Sequence, residues 1–217
     1  MRQLAAILTA AGALLGGTGC DELDLEGRLG NGEFQYLCGN GDASCNGTET
    51  ILGFDLDRDI LTIAVGGHFG FEFDDDDATA IVPASSDLVA SGGSTYRFTG
   101  AGTVDFLAKN DEGRVIDFAP LTSAAPTHLQ FFYDGDPVNS LSLERYRDHE
   151  IAVAPVTSYD DNPLGGGFTY HWNATGDLNM PTAGDDNTVV VRLSSASTGT
   201  ITVSTGSMSA TINVVAQ

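Results

Sequence analysis

The chain has 217 residues, room for one or two small domains, and its 30 Asp and Glu against 9 Lys and Arg give a formal net charge of -21. That balance excludes nucleic acid as a partner and makes docking onto an anionic lipid surface unfavourable. The charge is spread as -6 over residues 21–50, -9 over 51–122 and -7 over 123–217, which fits solvated surfaces of folded domains rather than an acidic tail. With 41% hydrophobic residues for cores, 27 glycines and abundant Thr, Ser, Val and Asp, the composition favours short strands joined by turns over helices.

Leu4 to Leu15 is apolar but too short to cross a bilayer as a helix, which takes roughly 20 residues. With Arg2 before it and Gly16-Gly17-Thr18-Gly19 after it, the stretch has the layout of a secretory signal peptide. Cys20 directly follows those small residues, and residues 1–20 resemble a bacterial lipoprotein signal. The resemblance implies cleavage before Cys20 and acylation of that residue. The membrane is then a partner through lipid, and the mature protein belongs to the bacterial cell envelope, facing the periplasm or the cell exterior. Acyl chains anchor by burying about 0.8 kcal/mol per CH₂. With Cys20 acylated, Cys38 and Cys45 remain, flanking a stretch that contains Asn40-Gly41. An oxidising compartment favours joining them as a disulfide. A structural zinc would need two more ligands, and no histidine lies nearby.

Residues 20–50 read as a tether carrying this small disulfide loop, with one apolar patch at Phe34-Gln35-Tyr36-Leu37 and no core of its own. From Ile51 short apolar runs alternate with turn signals, the pattern of a sandwich or barrel. Strands are expected at 60–65, 69–73, 79–82, 94–99, 103–108 and 114–118. In Tyr96-Arg97-Phe98 the aromatic residues share one face and Arg97 takes the other. The stretch from Ala119 to Thr127, with Pro120 and Pro126 and no charge, reads as the interdomain connection. Strands then restart at 128–133, 150–156, 168–172, 188–193, 200–204 and 210–215. Two all-β domains follow, at 51–122 and 127–217.

The halves repeat. Tyr96-Arg97-Phe98 matches Val191-Arg192-Leu193, Gly102-Thr103-Val104 matches Gly199-Thr200-Ile201, and Ile116-Asp117-Phe118 matches Ile212-Asn213-Val214, at offsets of 95 to 97. This is the signature of one duplicated plan. The second half, through Ile151-Ala152-Val153-Ala154-Pro155, Tyr170-His171-Trp172, Gly199-Thr200-Ile201-Thr202-Val203 and Ser209-Ala210-Thr211-Ile212-Asn213-Val214, resembles the bacterial immunoglobulin-like domains found in tandem on cell-surface proteins. The resemblance spans 128–217, with weaker support over 51–119. It implies two tandem immunoglobulin-like β-sandwiches, with Trp172 between the sheets and His171 facing out.

For chemistry the chain offers little. Asp74, Asp75, Asp76 and Asp77 follow a strand and could hold a Ca²⁺ ion, although adjacent residues of an extended segment point opposite ways and a solvated acidic turn explains them as well. Asp55-Leu56-Asp57-Arg58-Asp59 opens like a calcium loop but has Ile60 where glycine is needed and Gly66 where a bidentate Glu is needed. Asp134-Gly135-Asp136 and Asp160-Asp161-Asn162 are turn chemistry. His68, His128, His149 and His171 are scattered, and neither G-x-S-x-G nor a P-loop is present. No catalysis and no obligatory cofactor are expected. Tyr133, Tyr146 and Tyr159 lie near loops or strand ends, where a sandwich contacts ligands, so a glycan is the alternative ligand to Ca²⁺. The reading is a non-catalytic envelope spacer or adhesion and interaction module with a protein or glycan partner. A ligand-binding lipoprotein is the alternative.

Overall fold

The structure is a computed structural model that describes residues 24–37, 42, 62–157, 165–182, 186–195 and 198–217. Cys20, Cys38, Cys45, Tyr159 and the aspartates at 55–59 lie outside the described residues. Among the described residues there are strands and no helix. The chain forms two tandem immunoglobulin-like β-sandwiches, each with its own core.

The first sandwich is built from β1 (Asp24–Glu26), β2 (Glu33–Leu37), β3 (Thr62–Ala64), β4 (His68–Phe73), β5 (Ala80–Pro83), β6 (Val89–Gly92), β7 (Thr95–Phe98), β8 (Gly102–Lys109) and β9 (Val115–Ala124). The second uses β10 (His128–Tyr133), β11 (Asp136–Val138), β12 (Ser140–Leu143), β13 (Asp148–Val156), β14 (His171–Gly176), β15 (Leu178–Thr182), β16 (Thr188–Leu193), β17 (Thr198–Thr205) and β18 (Met208–Ala216). One sheet runs β1-β2-β4-β7-β6 in the first and β11-β10-β13-β16-β15 in the second; the facing sheet runs β3-β9-β8-β5 and β12-β18-β17-β14. Even the parallel pair recurs, β3 on β9 and β12 on β18. Without the outermost strand of each five-stranded sheet, β1 and β11, this order is four strands opposite three plus a short strand parallel to the last, the immunoglobulin plan.

The sequence repeat therefore reflects a structural one, in phase over two of its three segments. Tyr96 and Phe98 are buried like Val191 and Leu193, while Arg97 and Arg192 are exposed. Gly102 pairs with Ser123 and Gly199 with Val214, so Ser123, and not Phe118, is the counterpart of Val214. The third expected match lies on the correct strands but out of phase. In β9 the inward residues are Asp117, Ala119, Leu121 and Ser123, and Ile116 and Phe118 lie on the outer face.

Two further expectations are corrected. Residues 24–37 are not a tether: β2 pairs with β4, and Phe34 and Tyr36 enter the first core. The hairpin is fastened by Asp117, whose carboxylate accepts the N–H groups of Leu29 at 2.8 Å, Asn31 at 2.8 Å and Phe118 at 2.7 Å. Burial by itself would raise the pKa of this aspartate, but the donors from Leu29, Asn31, Phe118 and Gly30 outweigh it and hold the carboxyl below its ordinary value. The expected connection at 119–127 is mostly strand, because β9 runs to Ala124. Pro120 is tolerated since β3 covers β9 only from Thr122 onward, leaving no partner there for the N–H that proline lacks.

The sandwiches meet through backbone. His68 and Gly166 exchange two hydrogen bonds, of 2.8 and 2.9 Å. A Cβ on Gly67 would lie 3.1 Å from the Gly165 Cα, tighter than ordinary contact, so a side chain there would push the Gly165 backbone aside. Asp42, itself buried, accepts the Tyr36 hydroxyl at 2.7 Å from the first sandwich and the Gly165 N–H at 3.0 Å from the second. Burial first, then the charge and hydrogen bond of Asp42, hold the Tyr36 hydroxyl well above its ordinary pKa.

Candidate functional site at the distal tip

Strand direction defines two ends of the second sandwich. His128, Val156 and Gly166 mark the end that joins the first. At the opposite end β10 finishes at Tyr133, β12 at Leu143 and β16 at Leu193, while β13 begins at Asp148. The β14–β15 connection and the start of β17 reach this tip as well, but two of its turns stand out, β10–β11 and β12–β13.

Both carry a non-glycine residue with positive φ, Asp134 at 50° and Tyr146 at 62°. Asp134 is explained locally. With Gly135 at 87° it forms a two-residue hairpin turn between Tyr133 and Asp136, and Asp-Gly is the preferred sequence for that left-handed geometry. Tyr146 has no such account. A bulky residue in the left-handed region costs about 1–2 kcal/mol, and the Tyr146 side chain, 69% exposed, recovers nothing from the core.

The surrounding contacts hold it there. The Tyr146 N–H donates to the Leu193 carbonyl at 3.0 Å. His149 links the turn to β10, with Nε2 2.9 Å from the Glu144 carbonyl and Nδ1 2.9 Å from the Tyr133 hydroxyl. A carbonyl can only accept, so Nε2 carries the proton, and in the neutral imidazole the Tyr133 hydroxyl donates to Nδ1. Burial, then the charges of Asp134 and Glu144, raise the Tyr133 pKa. Arg192 grips Asp148 through two bonds of 2.7 Å, and Arg147 pairs with Glu144 at 2.9 Å. Hydrogen bonding and charge from Arg192 lower the Asp148 pKa. Arg145, Arg147 and Arg192 are all the basic residues of 123–217.

The other sequence candidates disperse. Asp74 spends Oδ1 on the Glu33 N–H, and Asp75 spends Oδ1 on the Asp77 N–H, each at 2.8 Å. Among the described residues no three or more metal-ligating side chains converge, and Asp76 and Asp77 point into solvent. His68 serves the junction through its backbone, His128 lies beside Thr127, His149 is at the tip, and His171 faces outward. Trp172 is half-buried against Phe131 and donates to the Asp186 carbonyl at 2.8 Å, while Tyr170 is the large ring fully enclosed in that core. Tyr133 and Tyr146, read separately from the sequence, come together at the tip. Reading the sequence missed the arginines, His149 and the buried Asp42 and Asp117. The flanking of Tyr146 by Arg145 and Arg147, two of the three arginines of 123–217, was the available signal.

No family model matches the chain, and no curated protein does. Among solved structures it is similar to domains 4 and 5 of the S-layer protein SbsC, with 19% identity over 63% of this chain and 75% of that one at a TM-score of 0.30. It is similar to the adhesin InvE of Yersinia pseudotuberculosis, with 15% identity over 72% and 56% at a TM-score of 0.34. A β-glycosidase of Bacteroides vulgatus gives 11% identity over 68% of this chain and 22% of that chain at 0.35. The class assigned here, tandem immunoglobulin-like sandwiches, rests on strand order.

Proposed function

We propose that the chain is a cell-envelope lipoprotein, held by an acylated Cys20, that serves as a non-catalytic spacer and interaction module. The supporting observation is the junction. The His68–Gly166 backbone pair, the Gly67–Gly165 contact and the buried Asp42 couple the two sandwiches, and strand direction puts the tip of the second at the end away from the first. The module works by presentation: two coupled bodies carry a furnished tip outward, and an acidic surface keeps copies soluble and apart.

Two measurements test this. Labelled fatty acid should enter the wild-type chain and not Cys20→Ser. Spin labels at the exposed positions 103 and 211 should give one narrow distance distribution, broadened by Gly67→Val, whose side chain forces Gly165 away. A broad distribution in the wild type would show independent domains on a flexible link and end the spacer reading.

A further inference from the structure

The tip turn has a counterpart in the first sandwich, the loop Val65-Gly66-Gly67 between β3 and β4. The Gly66 N–H donates to the Phe98 carbonyl as the Tyr146 N–H donates to that of Leu193, and Phe98 and Leu193 are equivalent in the repeat. Gly66 also has positive φ, at 91°. The duplicated plan thus contains one left-handed position, filled by glycine in one copy and by an exposed tyrosine in the other. Glycine adopts this backbone without strain. A large ring kept there against the backbone preference, pointing into solvent from a turn whose backbone is tied to Leu193, marks a side chain retained for what it contacts outside the protein.

From this we propose that the turn Glu144 to Arg147, with Asp148 and Arg192 beside it, binds an uncharged polysaccharide. The Tyr146 ring offers a flat face for the C–H surface of a sugar, sequestering apolar area from water while its hydroxyl stays wet. The same turn and the strand beside it carry acceptors, the carboxylates of Glu144 and Asp148, and donors, the guanidiniums of Arg145, Arg147 and Arg192, all exposed. Sugar hydroxyls both donate and accept, so they match such a mixed rim. The charge argument selects a neutral polymer. Arg147 and Arg192 are already paired with Glu144 and Asp148, leaving little local excess of positive charge, and a chain of net charge -21 repels a polyanion at longer range. The ion pairs and the Tyr133–His149–Glu144 chain fix the site before the ligand arrives, lowering the ordering cost of binding. The inference rests on the presentation reading only in taking the tip as the outward end.

The test is affinity electrophoresis of the detergent-solubilised full chain through gels containing dextran, mannan or xyloglucan, with alginate as the acidic control, followed by calorimetry on any polymer that retards it. The expected result is retardation by at least one neutral polymer and not by alginate. Affinity should fall about tenfold or more in Tyr146→Ala and Tyr146→Asn, the loss of one stacked ring, and be kept by Tyr146→Phe. Because residue 146 is exposed, these variants should fold, with unchanged spin-label distances between the sandwiches. The proposal is overturned if no neutral polymer retards the wild type, if alginate alone does, or if Tyr146→Asn binds as the wild type does. In each case narrow spin-label distances would leave the spacer reading standing.

Discussion

Gly66 and Tyr146 occupy the same place in the two copies of the plan, share a left-handed backbone and donate to equivalent carbonyls. Their surroundings differ. Beside Gly66 lies the second sandwich: a Cβ there would be 3.6 Å from the Phe168 ring, and the neighbouring Gly67 touches Gly165. Beside Tyr146 lies solvent. Duplication supplied one loop twice, and position along the chain decided its use. Where the second sandwich docks, the loop carries glycines; at the tip of the second sandwich the equivalent position is exposed and carries a tyrosine. The cores diverge in a similar way. Tyr96, Phe98 and Phe106 of the first correspond to Val191, Leu193 and Val203 of the second, so these three positions carry interlocking rings in one copy and branched aliphatic groups in the other.

The largest effect is expected in the aromatic core. Phe106 is fully buried, with ring centroids 5.8, 5.5, 5.0 and 6.4 Å from those of Phe69, Phe71, Tyr96 and Phe98. Phe106→Ala should cost about 3–5 kcal/mol in the first sandwich. Trp172, the single tryptophan, reports on the second. Urea unfolding followed by far-UV circular dichroism and by tryptophan fluorescence should show both transitions moving if the junction couples the domains. A fluorescence midpoint unmoved by Phe106→Ala would show that the two cores unfold as separate units.

Asp117 sharpens the contrast because its equivalent in the second sandwich, by the Ser123–Val214 register, is Met208, which offers no carboxylate. Asp117→Asn removes a charged acceptor shared by several backbone donors and should destabilise the first sandwich by about 1.5–3 kcal/mol. The pH sign follows from its depressed pKa. The wild-type contribution is complete above the unfolded-state value, near pH 4, and is lost as pH falls through the lower folded-state value. Unfolding midpoints of wild type and Asp117→Asn should therefore converge on acidification below about pH 4. Parallel curves down to pH 2 would mean that the carboxylate charge is not what holds the hairpin.

What the sequence disclosed and what it concealed divide along the same physical lines. β10 and β16 were legible to the residue, because each is a short aromatic or β-branched run bounded by turn residues. β1 and β2 were hidden, since Leu25, Phe34 and Tyr36 sit among Gly, Asn, Asp and Glu, and nothing local reveals that β4 supplies the missing edge. The phase of β9 was misread because its inward face carries Asp117 while Ile116 and Phe118 look outward; an aspartate satisfied by a distant hairpin cannot be recognised from its neighbours in sequence. At the tip, Asp134-Gly135 announced its turn, and Tyr133 and Tyr146 were flagged by position. The left-handed backbone at Tyr146 was illegible, because nothing in Glu-Arg-Tyr-Arg asks for it; the Leu193 carbonyl imposes it from another strand.

Making the first loop like the second should do moderate damage. Gly66→Tyr places a ring against Phe168 and incurs about 1–2 kcal/mol for the left-handed backbone. Unlike Tyr146, the new ring would meet a neighbour, so the spin-label distance between the sandwiches should broaden as well as the melting temperature falling. A lowered melting temperature with unchanged distances would place the whole cost in the backbone and free the junction from dependence on this glycine.

The smallest effect, and the only gain in stability, is expected from the reverse change. Tyr146→Asn keeps a residue that tolerates the left-handed region while removing one that does not. Since the tyrosine side chain is mostly exposed, almost nothing is lost from the core, and the ion pairs and the His149 bridge do not depend on the ring. The variant should be about 1 kcal/mol more stable than wild type, roughly the strain released, read as a raised urea midpoint with unchanged slope. A midpoint below that of wild type would show that the ring supports the tip from outside, and Tyr146 would then be a structural residue rather than one held under strain for a ligand.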